Sequence, residues 1–385
     1  MKKNKLVILV FIIAMCPIIL SGCWNYREID SMAIVAGMAI DKDEKTNQYM
    51  VTTEIITSQT QGASSNVNSE LYSAEGYTIF MAIRNTIEKT GLRLFWSDAK
   101  VVIISEAVAK EGVIPVIDWI NRDSELRSDM WMLIAKGNSA AEILKNKVKL
   151  NPVVSFHLDD TMRSWKILSR YINSRLWSFI DEISSEEKCA LVATVKNQVS
   201  DSTIAPDLSG CAIFKADKLV GYLDGRETLY TLMIKNKIKA GLIILQNVSG
   251  SHTNISLEIF SNKTKLVPIY NNGKVSMLID IYPVVAIDEV GGTKDVMKEE
   301  NLKILQSEAE KKIEDEVQYL ISRLQKDYAS DVLGFGEAFE KEKPKVSENF
   351  KKNGEDIFVS LKTEVKVHLE IKDSGKTIKS IPIEK

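Results

Sequence analysis

The chain has 385 residues and a mass of 43.2 kDa, with 45% hydrophobic and 26% charged residues. That composition belongs to globular proteins with a core and excludes disordered, collagen-like and disulfide-framework classes. The length predicts two or three domains, and 50 Lys+Arg against 52 Asp+Glu leave a net charge of −2, which offers no basic field to hold nucleic acid.

The chain opens with Lys2, Lys3 and Lys5, followed by an uncharged apolar run of 15 residues from Leu6 to Leu20. A spanning helix needs about 20 such residues, so the run suits the apolar core of a signal peptide. Pro17 would also disturb a helix there. The tetrapeptide Leu20-Ser21-Gly22-Cys23 resembles the bacterial lipobox. The resemblance implies cleavage after Gly22, removal of residues 1–22, and S-diacylglyceryl and N-acyl groups on Cys23. Small side chains let a peptidase close on the extended backbone, and a thiol is readily made nucleophilic while giving a stable thioether. The alternatives are an ordinary signal peptide before an unrelated cysteine, or a retained membrane helix. One acyl chain binds a membrane marginally and two bind it stably. Loss of the three lysines takes the net charge from −2 to −5, so lipid rather than charge is expected to hold the body at a membrane.

Ser31–Ile40 and Tyr49–Ser58 read as two strands joined by the polar stretch Asp41–Gln48. The Gln/Ser/Asn-rich piece from Gln59 to Ser69 reads as a mobile loop. Ile79, Phe80, Ile83 and Ile87 share a helical face from Tyr77 to Thr90, with Gly91 suited to the C-cap. Strands are predicted at Ala99–Ser105 and Trp131–Ala135, and helices at Val113–Ile120 and from Ser139 to Leu144. Residues 152–200 look mainly helical, interrupted at Trp165 and Trp177, and Asp201–Ser209 reads as a linker. Cys211–Phe214 and Leu219–Leu223 form a hairpin pattern. Alternating segments follow at Thr253–Phe260, Lys263–Ile269 and Lys274–Val285. Leu302, Leu305, Ala309, Ile313, Val317, Leu320, Ile321, Leu324 and Tyr328 then recur at helical spacing, a stripe that serves either as core or as a partner-helix face. Ile357–Ile371 reads as a long strand. The expected division is 23–200, a mixed α/β domain; 210–250, a small β-rich unit; and 251–385, an α+β domain carrying the long helix.

The sequence shows little catalytic chemistry. His157, His252 and His368 are widely spaced, and no zinc, nucleophile-elbow or phosphate-loop motif occurs. No catalytic, metal or cofactor residue is expected. The acid pairs Asp159-Asp160 and Asp181-Glu182 fit solvated faces. Cys189 and Cys211 allow either a disulfide or two free thiols. The densest polar cluster, Asn121 to Asp129, contains Arg122, Asp123, Glu125 and Arg127. It reads as a cap and ion-pair network fixing a turn, or as a docking surface for a partner protein.

Several of these segments resemble the Ger(x)C lipoproteins of spore germinant receptors. They are Cys23-Trp24-Asn25-Tyr26-Arg27-Glu28-Ile29, Ala33–Gly37 with Ile40-Asp41-Lys42, Lys100–Ile104, Ile120–Arg127, and Gly210–Gly221. Asn25 stands where the family more often has Asp. The resemblance implies an α+β protein of three mixed α/β domains, with largely antiparallel or mixed sheets flanked by helices. It further implies a non-enzymatic subunit, lipid-anchored on the extracytoplasmic face of the spore inner membrane, that works with two integral-membrane receptor subunits in nutrient-triggered germination. The rival expectation is a lipid-anchored solute-binding protein that captures a small nutrient itself.

Overall fold

A computed structural model describes residues 31–61, 64–137, 139–148, 150–185, 189–200, 203–248, 252–291, 298–344 and 354–373. The apolar run and Cys23 lie outside the described residues. β1 (Met32–Lys42), β2 (Tyr49–Gln61) and β3 (Ser64–Gly76) form an antiparallel meander. The stretch expected as a loop from Gln59 to Ser69 therefore belongs largely to the second hairpin, whose register closes at Gln61 opposite Ser64. Polar composition hid it, because β3 ends the sheet, and an edge strand pairs through its backbone without needing an apolar face.

α1 (Ile79–Thr90) starts where the Thr78 hydroxyl accepts the Met81 N–H at 3.1 Å. It stops at Gly91, whose φ of 66° lets its N–H reach Ile87 O at 2.8 Å. Next come β4 (Arg93–Phe95), β5 (Val101–Ser105), α2 (Glu106–Glu111), α3 (Ile114–Arg122) and β6 (Trp131–Ala135). α4 (Ala140–Leu144), α5 (Val154–Arg163), α6 (Trp165–Leu168) and α7 (Leu176–Ser184) lead into β7 (Cys189–Ser200). The final part of the expected helical stretch is thus a strand. β8 (Thr203–Lys215) and β9 (Lys218–Leu223) complete a sheet of order β3-β2-β1-β5-β6-β7-β8-β9, with β4 beside the start of β1. Its centre, β1-β5-β6-β7, is parallel and its flanks are antiparallel.

The expected linker Asp201–Ser209 is mostly β8. Pro206 opposes Asn197 of β7 in a stretch that β9 does not reach, so its missing N–H leaves no ladder bond unmade on that side. The residues expected as a middle unit, 210–250, are shared between this sheet, α8 (Gly225–Ile234) and β10 (Gly241–Leu245). β11 (Asn254–Asn271) and β12 (Lys274–Gly291) are one long hairpin, not three segments. With β10, β13 (Lys362–Val367) and β14 (Glu370–Asp373) they make the second sheet. α9 (Glu299–Arg323) runs into a π-helical turn at Leu324–Tyr328, and α10 (Phe335–Glu342) follows.

Alternation along the central strands splits the core in two. Val102, Ile104, Met132, Ile134 and Phe214 face α1, α3 and α7, while Val101, Ile103, Leu133, Ala193 and Ile213 face α4, α5 and α8. Both faces are covered, which is why these strands read as continuous apolar runs. The second core is continuous with the inner face of the second sheet, through Leu257, Ile279 and Ile281. The long helix buries Leu305, Ala309, Ile313, Val317, Leu320, Ile321 and Leu324 completely against that sheet and α8, so its stripe is core. The result is an α+β fold of two mixed sheets flanked by helices.

The C-terminal stretch also differs from expectation. Residues 354–360 are helical, β13 begins at Lys362, and β14 follows a break. Gln325 Nε2 donates to Phe358 O and Leu361 O at 2.8 Å each, fixing the helix end, while Phe358 packs on Phe335 at 6.0 Å. A uniform strand would leave Phe358 without that core position.

Candidate interaction surface

The residues that carry the sequence motifs do structural work that can be named. Gly37 sits where α5 crosses β1; a Cβ there would overlap the Ser155 hydroxyl and lie 2.8 Å from Val101 Cγ2. Asp41 accepts the N–H groups of Ala140 and Ala141 at 2.8 and 2.9 Å and so caps α4. Burial pushes its carboxyl above the usual range, opposed by those two N–H bonds. Lys42 reaches Glu111 at 2.7 Å and lies 5.1 Å from the Tyr49 ring centroid. In the later motif, a Cβ on Gly221 would overlap the Tyr328 ring, and Gly210, at φ 84°, gives its N–H to Arg170 O at 2.7 Å.

The turn after α3 is tied in ion pairs. Arg122 Nε donates to Asp118 Oδ2 at 2.8 Å, holding that carboxyl below its ordinary range. Asp123 Oδ1 accepts the Glu125 N–H at 2.9 Å, an Asx turn. Glu125 pairs with Arg93 of β4, and Arg127 grips Asp129 in two bonds of 2.9 and 2.7 Å. Asp123, Glu125 and Arg127 thus bond within the turn or to β4, Arg122 pairs inside α3, and Arg122 and Asp123 also border a groove of about 650 Å3 between α1 and α3. Tyr49, Tyr77, Phe80, Pro115 and Trp119 line it. Trp119 is buried against Trp96, with ring centroids 5.7 Å apart, whereas Tyr77 (68%) and Phe80 (50%) are largely exposed. Helical spacing places Phe80 on the apolar face, and nothing local in the sequence shows that α3 leaves it uncovered.

Beneath the same turn, Trp131 Nε1 donates to Asp159 Oδ1 at 2.7 Å, Arg163 holds the other oxygen at 3.0 Å, and the Arg175 guanidinium stacks 3.2 Å from the Trp131 ring centroid. The acid pair 159–160 is therefore divided between a structural bond and the exposed Asp160. Glu182 accepts the Leu191 N–H at 3.3 Å, while Asp181 is exposed. The histidines stand apart. His157 is half-buried, which lowers its pKa; His252 is exposed; His368 Nε2 lies 3.1 Å from Asp280 Oδ1 and its ring stacks on Tyr282 at 4.9 Å. Cys189 and Cys211 are free thiols, pushed up to about 11 and about 12 by burial. On the adjacent strands β7 and β8 Cys189 opposes Lys215 and Cys211 opposes Ala193, four positions apart, about 13 Å along the ladder and beyond disulfide reach. Among the described residues no His/Cys/Asp/Glu group is arranged to hold a metal, and no helix is long and apolar enough to cross a membrane.

The described residues thus form an α+β body of two mixed sheets, in which motif glycines and acids fasten distant segments and an apolar groove with a charged rim lies open between α1 and α3. Residues 25–197 match the family described as spore germination protein N-terminal domain, and residues 209–375 match spore germination B3/GerAC-like, C-terminal. The chain belongs to this Ger(x)C family of spore germination proteins. It is similar to spore germination protein KC of Bacillus subtilis (strain 168), 24% identical over 96% of both chains. It is 26% identical to the putative spore germination protein YfkR of the same organism, over 94% of this chain and 96% of that one. The crystal structure of the GerBC protein has a similar fold, with a TM-score of 0.55 and 21% identity over 87% of this chain and 96% of that one.

Proposed function

We propose that this chain is a non-enzymatic subunit of a spore germinant receptor, lipid-anchored through Cys23 on the outer face of the spore inner membrane. In this reading it acts in nutrient-triggered germination through contacts with two integral-membrane subunits. Family membership along both halves of the chain supports the germination role. The observation that supports action by contact is the groove between α1 and α3, where Tyr77 and Phe80 stand exposed over Trp119 beside the charged rim of Asp118, Arg122 and Asp123. Aromatic anchors ringed by polar groups are the usual centre of a protein interface. Tethering confines the groove to a thin layer beside its partners, so each contact needs less intrinsic affinity.

Phe80→Asp tests this reading, because the side chain is exposed and its replacement spares the core. The variant is expected to keep the wild-type unfolding transition and to lose about tenfold or more in recovery of the membrane subunits from spores, with slower germination. Unchanged recovery and germination would reject the groove. Cys23→Ala followed by fractionation tests the anchor, with release from the membrane expected. Saturable nutrient binding by the isolated chain, read by calorimetry, would favour the rival solute-binding role.

A further inference from the structure

Residues 163–178 hold Arg163, Lys166, Arg170 and Arg175 and no acid, in a chain whose acids outnumber its bases. The segment covers the end of α5, α6 and the start of α7. Its exposed side chains are cations at Arg163, Lys166 and Arg170, apolar groups at Ile167 (70%), Leu168 (46%) and Trp177 (53%), and the amide of Asn173. The half-exposed Leu242 and Ile244 of β10 line a groove with Ile167 and Leu168, whose charged lining holds Arg170, Arg226 and Lys312 against Glu258 and Asp288. A net charge of −5 for the chain after residue 22 conceals this concentration of positive charge.

The last part of the segment, Arg175 to Trp177, lies at the end of the fold where β1 starts. Met32, at the start of β1, pairs with Arg93 of β4, Arg93 binds Glu125, and Trp177 N–H donates to Ser128 O at 3.0 Å in the same turn. From Met32 to Gly37 is about 17 Å along β1, and two strand spacings of about 4.8 Å lead from Gly37 through Val101 to Trp131, which bridges Arg175. Arg175 and Trp177 therefore lie roughly 20 Å from Met32, and Arg170, whose carbonyl takes the Gly210 N–H on β8, lies about 30 Å away. The eight peptide steps from Cys23 to Ser31 span up to about 26–29 Å.

We propose that this loop, with Lys166, Arg170, Ile167, Leu168 and Trp177, is a docking surface for an anionic lipid bilayer. The cations approach phosphate headgroups while the aliphatic and indole groups enter the interface, the division of labour that interfacial segments use. The orientation argument rests on the Cys23 tether; the binding chemistry does not. A second contact beside the anchor would hold the body in one orientation and leave the α1–α3 groove at a set place relative to membrane partners.

The test uses the chain from residue 23 onward with Cys23→Ser, since every described element begins after that residue. It is sedimented with phosphatidylglycerol-containing vesicles and with phosphatidylcholine vesicles. Binding is expected to the anionic vesicles alone, to weaken between ~0.02 and ~0.3 M salt, and to fall by at least about 25-fold in Lys166→Glu/Arg170→Glu, about fivefold or more per charge lost. Lys303→Glu/Lys311→Glu on α9 makes the same change in net charge elsewhere and is expected to stay within about twofold of the parent. Trp177→Ala separates insertion from charge and is expected to weaken binding at both salt concentrations. No binding to anionic vesicles at low salt, or equal loss in both charge-reversal variants, overturns the proposal. Capture of an acidic membrane subunit without vesicle binding also overturns it and reassigns the face to a protein. No lipid on Cys23 enters the assay, so failure here leaves the anchor reading standing, and mass spectrometry of Cys23 judges that reading separately.

Discussion

Ser155, the second residue of α5, gives its N–H to Glu54 Oε2 at 2.8 Å across 101 positions of chain. Glu54 is fully buried on β2, and its other oxygen takes the Val154 N–H at 2.8 Å and the Ser69 hydroxyl at 2.7 Å. One carboxylate thus closes a helix N-terminus and ties β3 to it, a favourable place for negative charge. Glu54→Ala is expected to destabilise the fold by about 2–4 kcal/mol, because two buried donors lose their acceptor. Glu54→Gln, which keeps one acceptor, should cost about 1 kcal/mol. Urea unfolding of both variants checks the order.

The same crossing requires a glycine on β1. Gly37→Ala is expected to cost about 2 kcal/mol, because the added methyl meets Ser155 and Val101 in a packed interior. Ser155→Gly in that background should recover part of the loss. Equal stability of the single and double variants would refute this steric account.

The second half has its own fastening. Glu227, buried on α8, pairs with Arg323 at the end of α9, and Arg323 also reaches Tyr328 OH, which donates to Tyr222 O at 3.1 Å. Arg323→Met is expected to lose about 3–5 kcal/mol by leaving Glu227 unpaired, whereas Glu227→Leu/Arg323→Met should lie much nearer wild type. A double variant as unstable as the single one would count against the pair.

Asp41 gives the stability a pH dependence. Its folded carboxyl lies above the unfolded value, so the folded state binds this proton more tightly. The contribution is complete below the unfolded pKa of about 3.9 and is lost as pH rises through the folded value. The unfolding free energy of wild type relative to Asp41→Asn should therefore be most favourable below about pH 4 and decline toward neutrality. A difference that is flat with pH would contradict the burial effect.

Free thiols at about 11 and about 12 are almost wholly protonated at pH 8. In the Cys23→Ser chain, iodoacetamide should label Cys189 and Cys211 slowly in the native state and both rapidly in urea, without reductant. Rapid native labelling, or a need for reductant, would contradict the buried, unpaired arrangement.

Much of this architecture could be read from local pattern. Continuous apolar runs located β1, β5 and β6, and apolar spacing located α1 and α3, to within a few residues. The stripe from Leu305 to Leu324 was readable as a helix, and the structure makes it core. The motif positions 37, 41, 122–127, 210 and 221 stood out as a resemblance to one family, although their spacing gives no hint of which distant group each one meets. Where local pattern misled, long-range pairing decided. The polar second hairpin is held by its backbone register, β8 runs through a Pro-containing stretch because β7 supplies its partner, and the Phe358 segment becomes helical to reach Phe335.

The amino-acid sequence alone determined the family, the class of fold and the lipobox-like cysteine, since each is written in residues close together along the chain. Tertiary structure alone decided that Glu54 and Asp41 start helices about a hundred residues away, and that α3 leaves Phe80 uncovered. It also brought Arg175 and Trp177 to the end of the sheet where β1 starts. These are juxtapositions of segments remote in sequence, created when apolar faces are buried together, and no local periodicity encodes them.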